Sequence, residues 1–140
     1  MLRNTIDPRQ YYLDLCKEVT DELMQQLLGY MIDHGYIGHN NRVTRGELAT
    51  ALLGVHEDRT DRMIRKAKEE LTRQGVPILS SSGTAGYYLA EYQDEIDEYI
   101  RENNNRIQSL HQQNRAASKV KLPYLPSTHT PQPRLFEELV

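Results

Sequence analysis

Apolar residues recur at helical spacing through the first 34 positions of the chain. Asp7-Pro8 is typical of a helix start, because proline is favoured in the first turn. This first helix is expected to run to about Val19 and to bury Tyr12, Leu15 and Cys16. Thr20 can cap a second helix, which His34-Gly35 would end. The apolar stripe of that second helix consists of Leu23, Met24, Leu27, Leu28, Met31 and Ile32.

The pattern between Val43 and Ala90 predicts a strand residue, a short helix, a turn and a longer helix, followed by two more strands. Thr44 to Glu47 fits a capping box, in which the threonine hydroxyl and the glutamate carboxylate each satisfy a free backbone N–H. Gly54 is placed to adopt the left-handed conformation that closes a helix. The apolar residues that recur at helical spacing in between are Leu48, Ala51 and Leu52.

The second helix of this stretch begins after Glu57, where Asp58 or Thr60 can cap it. Gly75 and Pro77 end it. Its apolar stripe consists of Ile64, Ala67 and Leu71. The two apolar runs that follow are Val76–Leu79 and Tyr87–Leu89. They flank a polar loop with two glycines, Ser80 to Gly86, which predicts a β-hairpin.

The polar side of this second helix carries a group of cations that Glu69 interrupts. They are Arg59, Arg62, Arg65, Lys66 and Arg73. A helix that is apolar on one face and cationic on the other can enter a major groove. Its Lys and Arg side chains would neutralise phosphates, and arginine can also read guanine edges. A solvated surface helix has a similar face, but the short helix, turn and hairpin around it favour contact with double-stranded DNA.

A long helix is predicted from about Glu91–Gln93 to about Ser118. Residues at alternating steps of four and three follow heptad spacing, and they are Ile96, Ile100, Asn103, Ile107, Leu110, Asn114 and Ala117. This spacing predicts a coiled-coil homodimer, in which a buried asparagine can fix the register. In the alternative, Ile96, Tyr99 and Ile100 pack on the preceding domain and the rest of the helix stays exposed.

Composition limits the range of functions. A chain of 140 residues suffices for one modest domain with appendages. The net charge of −3 means that any DNA contact is a local cationic patch. Cys16 is the only cysteine, the five histidines are scattered, and neither a glycine-rich phosphate loop nor a serine elbow occurs. We therefore expect neither an enzyme nor a metal or cofactor site, and a cytoplasmic protein without a signal peptide or membrane span.

The central stretch resembles the small winged helix-turn-helix proteins of bacteriophages and bacteria. The resemblance lies in the capped short helix, the basic second helix and two strand motifs, Pro77 to Ser80 and Gly86 to Leu89. It implies a mainly α fold with a small β-hairpin, and DNA binding through the second helix. One departure is that the wing tip, Ser80 to Gly86, contains no Lys or Arg. Only hydroxyls and backbone N–H groups could contact phosphates there.

The last residues resemble the bacterial sliding-clamp-binding motif, in which Leu-Phe follows two residues after a glutamine. Here the matching residues are Gln132, Leu135 and Phe136. The resemblance implies that Gln132 hydrogen-bonds at the rim of a pocket on the replication clamp and that Leu135 and Phe136 fill it. Pro133 and Arg134 depart from the preferred pattern. Other receptors, or docking on the protein's own domain, remain alternatives.

The chain is therefore expected to comprise an N-terminal helical segment (1–19), a winged-helix domain (20–90), a long helix (91–118) and a proline-rich disordered tail (119–140). The first functional hypothesis is a DNA-binding accessory or regulatory protein of DNA replication that docks on the sliding clamp. The second is a protein-interaction module or transcriptional regulator built on the same fold.

Overall fold

The computed structural model describes residues 6–124. Within this range the chain forms five α-helices and one two-stranded antiparallel hairpin, which confirms the predicted mainly α fold. The elements are α1 (Pro8–Glu18), α2 (Glu22–Asp33), α3 (Arg45–Leu53), α4 (Asp58–Arg73), β1 (Ile78–Ser81), β2 (Thr84–Leu89) and α5 (Gln93–Ser118). The chain divides into two units, residues 1–104 and 105–140.

The first unit has one main apolar core, to which α1–α4 and the hairpin contribute. Five of the six predicted stripe residues of α2 are buried and Leu23 is partly buried, and Ile64, Ala67 and Leu71 of α4 are buried with them. In α1, Tyr12 is buried as predicted, whereas Leu15 and Cys16 are only partly buried. Removing these side chains from water is the main stabilising contribution to such a core. In α3 the buried pair is Leu48 and Ala49, whereas Ala51 is exposed. The prediction for Ala51 was wrong because α3 turns a different face to the core.

The cap of α2 lies one residue later than predicted. Asp21, not Thr20, is the N-cap, and its carboxylate accepts a hydrogen bond from the N–H of Met24 at 3.0 Å. A carboxylate also interacts favourably with the positive end of the helix dipole. Asp7 is the N-cap of α1 but makes no capping side-chain hydrogen bond.

The helix pair α3–α4 begins with caps that differ in part from the prediction. Thr44 accepts from the N–H of Glu47 at 3.1 Å as expected, but the Glu47 carboxylate accepts from the hydroxyl of Tyr36 at 2.8 Å. Only half of the predicted capping box therefore forms. Thr60 does not cap α4; it is the third helical residue and its hydroxyl accepts from the N–H of Glu57, the N-cap, at 3.0 Å. Gly54 ends α3 in the left-handed conformation, with φ of 86°, as predicted.

The hairpin strands extend further toward the tip than the sequence indicated. Ser81 pairs with Thr84, so the turn consists of Ser82 and Gly83, and most of the predicted Ser80–Gly86 loop is strand. Polar side chains suggested a loop here. In a strand, however, the backbone makes the pairing and side chains facing water can be polar.

The base of β2 is attached to the segment that precedes α3. Val43 and Tyr87 exchange two backbone hydrogen bonds, of 3.0 and 2.8 Å, so the predicted strand residue is a single bridge. Gly86 makes this approach possible. A Cβ at this position would lie 3.0 Å from Cβ of Arg42 and 3.1 Å from the carbonyl oxygen of Val43, and its φ is +107°.

The long helix α5 has the predicted bounds. Within the first unit, Ile96 and Tyr99 pack against a second small cluster formed by Leu79, Tyr88 and Ala90. Packing on the preceding domain was the predicted alternative to a coiled coil, and it is confirmed for these two residues. In the part of the second unit that the structure describes, 105–124, every residue is exposed.

None of the helices formed by residues 6–124 combines the length and the apolar character that crossing a membrane requires.

Candidate nucleic-acid interface

The exposed side of α4 carries all five cations that were predicted from the sequence to contact DNA. With 3.6 residues per turn, Arg62 lies opposite the buried stripe, and Arg59, Lys66 and Arg73 lie within about a quarter turn of it. Arg73 pairs with Glu70 at 3.3 Å on the same helix. Among residues 6–124, no ion pair involves Arg62 or Lys66. Their charges therefore have no carboxylate partner to release before they contact a phosphate.

Arg65 differs from the other cations because it belongs to a network centred on Asp61. Its Nε lies 3.3 Å from Oδ2 of Asp61, while Nε of Arg45 and Nε2 of His56 lie 2.9 and 3.6 Å from Oδ1. The Asp61 side chain is only 19% exposed. One carboxylate thus connects the first residue of α3, the α3–α4 turn and the first turns of α4.

The charges around Asp61 favour the ionised form of its carboxylate. Partial burial would raise the pKa of Asp61, but the guanidinium groups of Arg45 and Arg65 outweigh burial and hold that pKa below its usual value. Burial disfavours the charged form of Arg45 as well, yet the Tyr87 hydroxyl and the Asp61 carboxylate raise its pKa above the usual value.

A groove of about 570 Å³ lies between the start of α3, the inner side of α4 and the hairpin. Arg45 and Arg65 line it from the helices, and Ser80 and Thr84 line it from the strands. Gly46 leaves room for the imidazole of His56, since a Cβ there would be 2.8 Å from Nδ1. The groove therefore offers guanidinium and hydroxyl donors of the kind that contact phosphates, together with the carboxylates of Asp61 and Glu69.

Lys68 faces this groove but is 7% exposed and held by tyrosines. Its Nζ donates to the hydroxyl of Tyr99 at 3.0 Å, and lies 5.0 Å from the centre of the Tyr99 ring and 5.8 Å from that of Tyr87. Hydrogen bonding and cation–π attraction offset the cost of burying the ammonium group. Lys68 thus joins α4 to β2 and α5.

One cation beside the hairpin, Arg42, was not predicted from the sequence. Arg42 Nη2 donates to Oγ of Ser81 at 2.9 Å, its Nε donates to the His39 carbonyl at 2.8 Å, and its guanidinium lies 4.7 Å from the centre of the Tyr88 ring. Arg42 and Arg45 were not predicted as interface residues because Arg42 precedes α3 and Arg45 begins it. Only tertiary packing brings them to the hairpin and α4. The position of Arg45 did give one indication of a role in the site. A cation in the first turn of a helix is electrostatically unfavourable, so its presence there is not explained by helix stability.

The predicted dimerisation residues differ in their exposure. Ile96 and Asn103 are partly buried, whereas Ile100, Ile107 and Leu110 are 49%, 63% and 54% exposed. The predicted clamp-binding residues Gln132, Leu135 and Phe136 lie outside the described residues, as does the greater part of the predicted disordered tail. No family model, curated protein or solved structure matches this chain.

Proposed function

We propose that this protein is a winged helix-turn-helix protein that binds double-stranded DNA and acts in DNA replication or its control. In this proposal α4 is the recognition helix and the β1–β2 hairpin is the wing. The observation that carries the proposal is the exposed cationic face of α4 beside a groove lined with guanidinium and hydroxyl groups.

Three features of the geometry support this reading. The helices α3 and α4 are joined by a turn of four residues, 54–57, as in helix-turn-helix units. Arg62 and Lys66 are exposed on the side of α4 opposite the core, where a major groove could receive them. Arg45 and Arg65 lie toward the hairpin, where a phosphate between helix and wing would meet them.

The test is duplex DNA binding measured by fluorescence anisotropy over a series of salt concentrations. Affinity should fall steeply with salt because phosphate contacts release counterions. Arg62→Ala and Arg65→Ala should each weaken binding, and Arg62→Ala should reduce the slope of log K against log salt by about one. Lys17→Ala removes an exposed cation from α1, which does not line the groove, and serves as the control. Absence of binding at low salt, or an equal loss with Lys17→Ala, would contradict the proposal.

We further propose that the C-terminal peptide docks on the bacterial sliding clamp through Gln132, Leu135 and Phe136. The support is the sequence motif, with adjacent apolar anchors in a proline-rich segment. Immobilised clamp should capture the intact protein, and Phe136→Ala should abolish capture because the largest anchor is lost. Thr130→Ala, in the same segment but outside the motif, should be captured like the unaltered protein. Equal capture of the Phe136→Ala variant would exclude this motif.

A second candidate is a winged domain that binds another protein, or a transcriptional regulator whose tail binds another partner or its own domain. The observation in its favour is that Asp61 offsets Arg45 and Arg65 and that the wing tip lacks cations, in a chain of net charge −3. Protein interaction without DNA binding predicts no salt-dependent duplex affinity, so the anisotropy titration separates the two functions.

A further inference from the structure

The part of α5 that belongs to the second unit exposes a row of apolar side chains. Ile107 and Leu110 are 63% and 54% exposed, and every residue from 104 to 118 is exposed. Ile100, one heptad earlier, is 49% exposed. Nothing among residues 6–124 covers these three side chains. Helices in proteins gain most of their stability from packing an apolar face. We therefore expect a partner to cover these exposed apolar side chains.

We propose that α5 pairs with α5 of a second copy of this chain as an antiparallel coiled coil. In this pairing Ile107 lies opposite Leu110 of the second copy, and Ile100 lies opposite Ala117. Asn103 lies opposite Asn114, so the two polar positions of the seam meet each other. Ile96 is outside the seam, which agrees with its packing against the hairpin of its own chain.

The charge distribution along α5 selects the antiparallel orientation. Residues 94–102 contain five carboxylates and one cation, namely Asp94, Glu95, Asp97, Glu98, Glu102 and Arg101. Residues 103–121 contain no carboxylate and four cations, of which Arg106 and Arg115 belong to α5 and Lys119 and Lys121 follow its last residue. A parallel pair would bring like charge against like charge at both ends. An antiparallel pair brings each acidic segment beside the basic segment of the other copy, which favours this orientation even though single exposed pairs contribute little.

The helix dipole accounts for only part of this charge distribution. It favours acidic residues in the first turn and basic residues in the last turn, and its influence decays within one turn. Glu98, Glu102 and Arg106 lie further inside α5 than that. Local partners account for a further part, because Glu98 pairs with Arg101 on its own helix and Glu102 accepts from the N–H of Ser82. The antiparallel register adds one favourable contact, since it places Glu102 opposite Arg115 of the second copy.

Side-chain volumes agree with the same register. A parallel pair would align Ala117 with Ala117 and leave a poorly filled layer at that end of the seam. The antiparallel pair sets the large Ile100 against the small Ala117 and places Ile107 and Leu110 together in the central layers. Alternating large and small residues across facing positions fills such a seam without voids.

Disulfide crosslinking tests the orientation. In a Cys16→Ser background, Ile100→Cys and Ala117→Cys variants are oxidised separately and as a mixture. The antiparallel pairing predicts crosslinked dimer only in the mixture, because two copies of the same position would be about 25 Å apart along the helix axis, beyond the reach of a disulfide. Crosslinking of each variant with itself would overturn the antiparallel orientation.

Sedimentation equilibrium tests the association itself. The unaltered protein should show a concentration-dependent dimer, and Ile107→Asp/Leu110→Asp should be a monomer at every concentration that gives dimer in the unaltered protein. Asn105→Asp/Gln112→Asp adds the same charge on the opposite side of α5 and should leave the dimer intact. A monomeric unaltered protein, or equal weakening by both double variants, would overturn the proposal. Neither result bears on DNA binding by α4, so this proposal and the proposed function can fail separately.

Discussion

At the scale of single residues, Asp61 determines how much positive charge the candidate interface presents. Its carboxylate holds Arg45 and Arg65, and His56 lies 3.6 Å away. The Asp61–Arg65 pair was accessible from the sequence, because residues four apart on a helix are neighbours. The contact with Arg45 was not, because it depends on how α3 packs against α4.

Asp61→Asn should increase DNA affinity, because an amide leaves the charges of Arg45 and Arg65 unbalanced and available to phosphates. Anisotropy at moderate salt measures this change. Asp58→Asn removes the same charge from the exposed start of α4 and controls for net charge. If both variants tighten binding equally, total charge and not the Asp61 network is responsible.

The same substitution has a predicted pH dependence. The pKa of Asp61 is lower in the folded protein than its ordinary value. Its contribution to the free energy of unfolding is therefore complete above about pH 5 and is lost as the pH falls below about 4. Urea unfolding should show Asp61→Asn less stable than the unaltered protein at pH 7, with a smaller difference near pH 3. A difference that is the same at both pH values would exclude the ion pairs as its source.

At the scale of elements, the hairpin shows where sequence patterns stop being informative. Ile78, Leu89 and the other buried strand residues were predictable from their apolar runs. Ser81 and Thr84 were assigned to a loop because side-chain polarity does not report backbone pairing. The wing is therefore longer than expected, and its exposed edge faces the groove beside α4.

Ala85→Lys would test whether the wing lies close to DNA. Ala85 is exposed and lines the groove between α4 and the hairpin. A lysine there should add a phosphate contact, tighten duplex binding and steepen the slope of log K against log salt by about one. Ala85→Gln supplies a comparable side chain without charge. An unchanged slope with Ala85→Lys would place the wing away from the phosphates.

At the scale of the whole molecule, every core residue among the described residues 6–124 belongs to the first unit of the chain. The main core ends at Leu89 and the second cluster at Tyr99. The sequence predicted the order and type of the helices well, because their apolar stripes and end signals are local. It could not predict that Tyr12 of α1 donates a hydrogen bond to the carbonyl of Ala90 at 2.5 Å, since 78 residues separate them.

A fragment of residues 1–104 should therefore fold by itself. Truncation removes only exposed side chains among the described residues 105–124, so the free energy of unfolding of the fragment should lie within about 1 kcal/mol of that of the monomeric Ile107→Asp/Leu110→Asp variant. Urea unfolding followed by circular dichroism would measure it. A fragment that unfolds without a cooperative transition would show that residues after 104 are needed for the fold of the first unit.

The attachment of the hairpin base has a consequence for changes in chain length. Val43 and Ile37 both bridge to β2, at Tyr87 and Leu89, so lengthening the chain near these residues would shift which side chains face the core. The turn at Ser82-Gly83 lies beyond the last paired residues. Additional residues there would lengthen the hairpin and displace Ser82, whose N–H and hydroxyl donate to the Glu102 carboxylate of α5. The hairpin can thus vary in length at its tip while the register of its base is preserved, which makes the tip the natural position for inserting a reporter peptide.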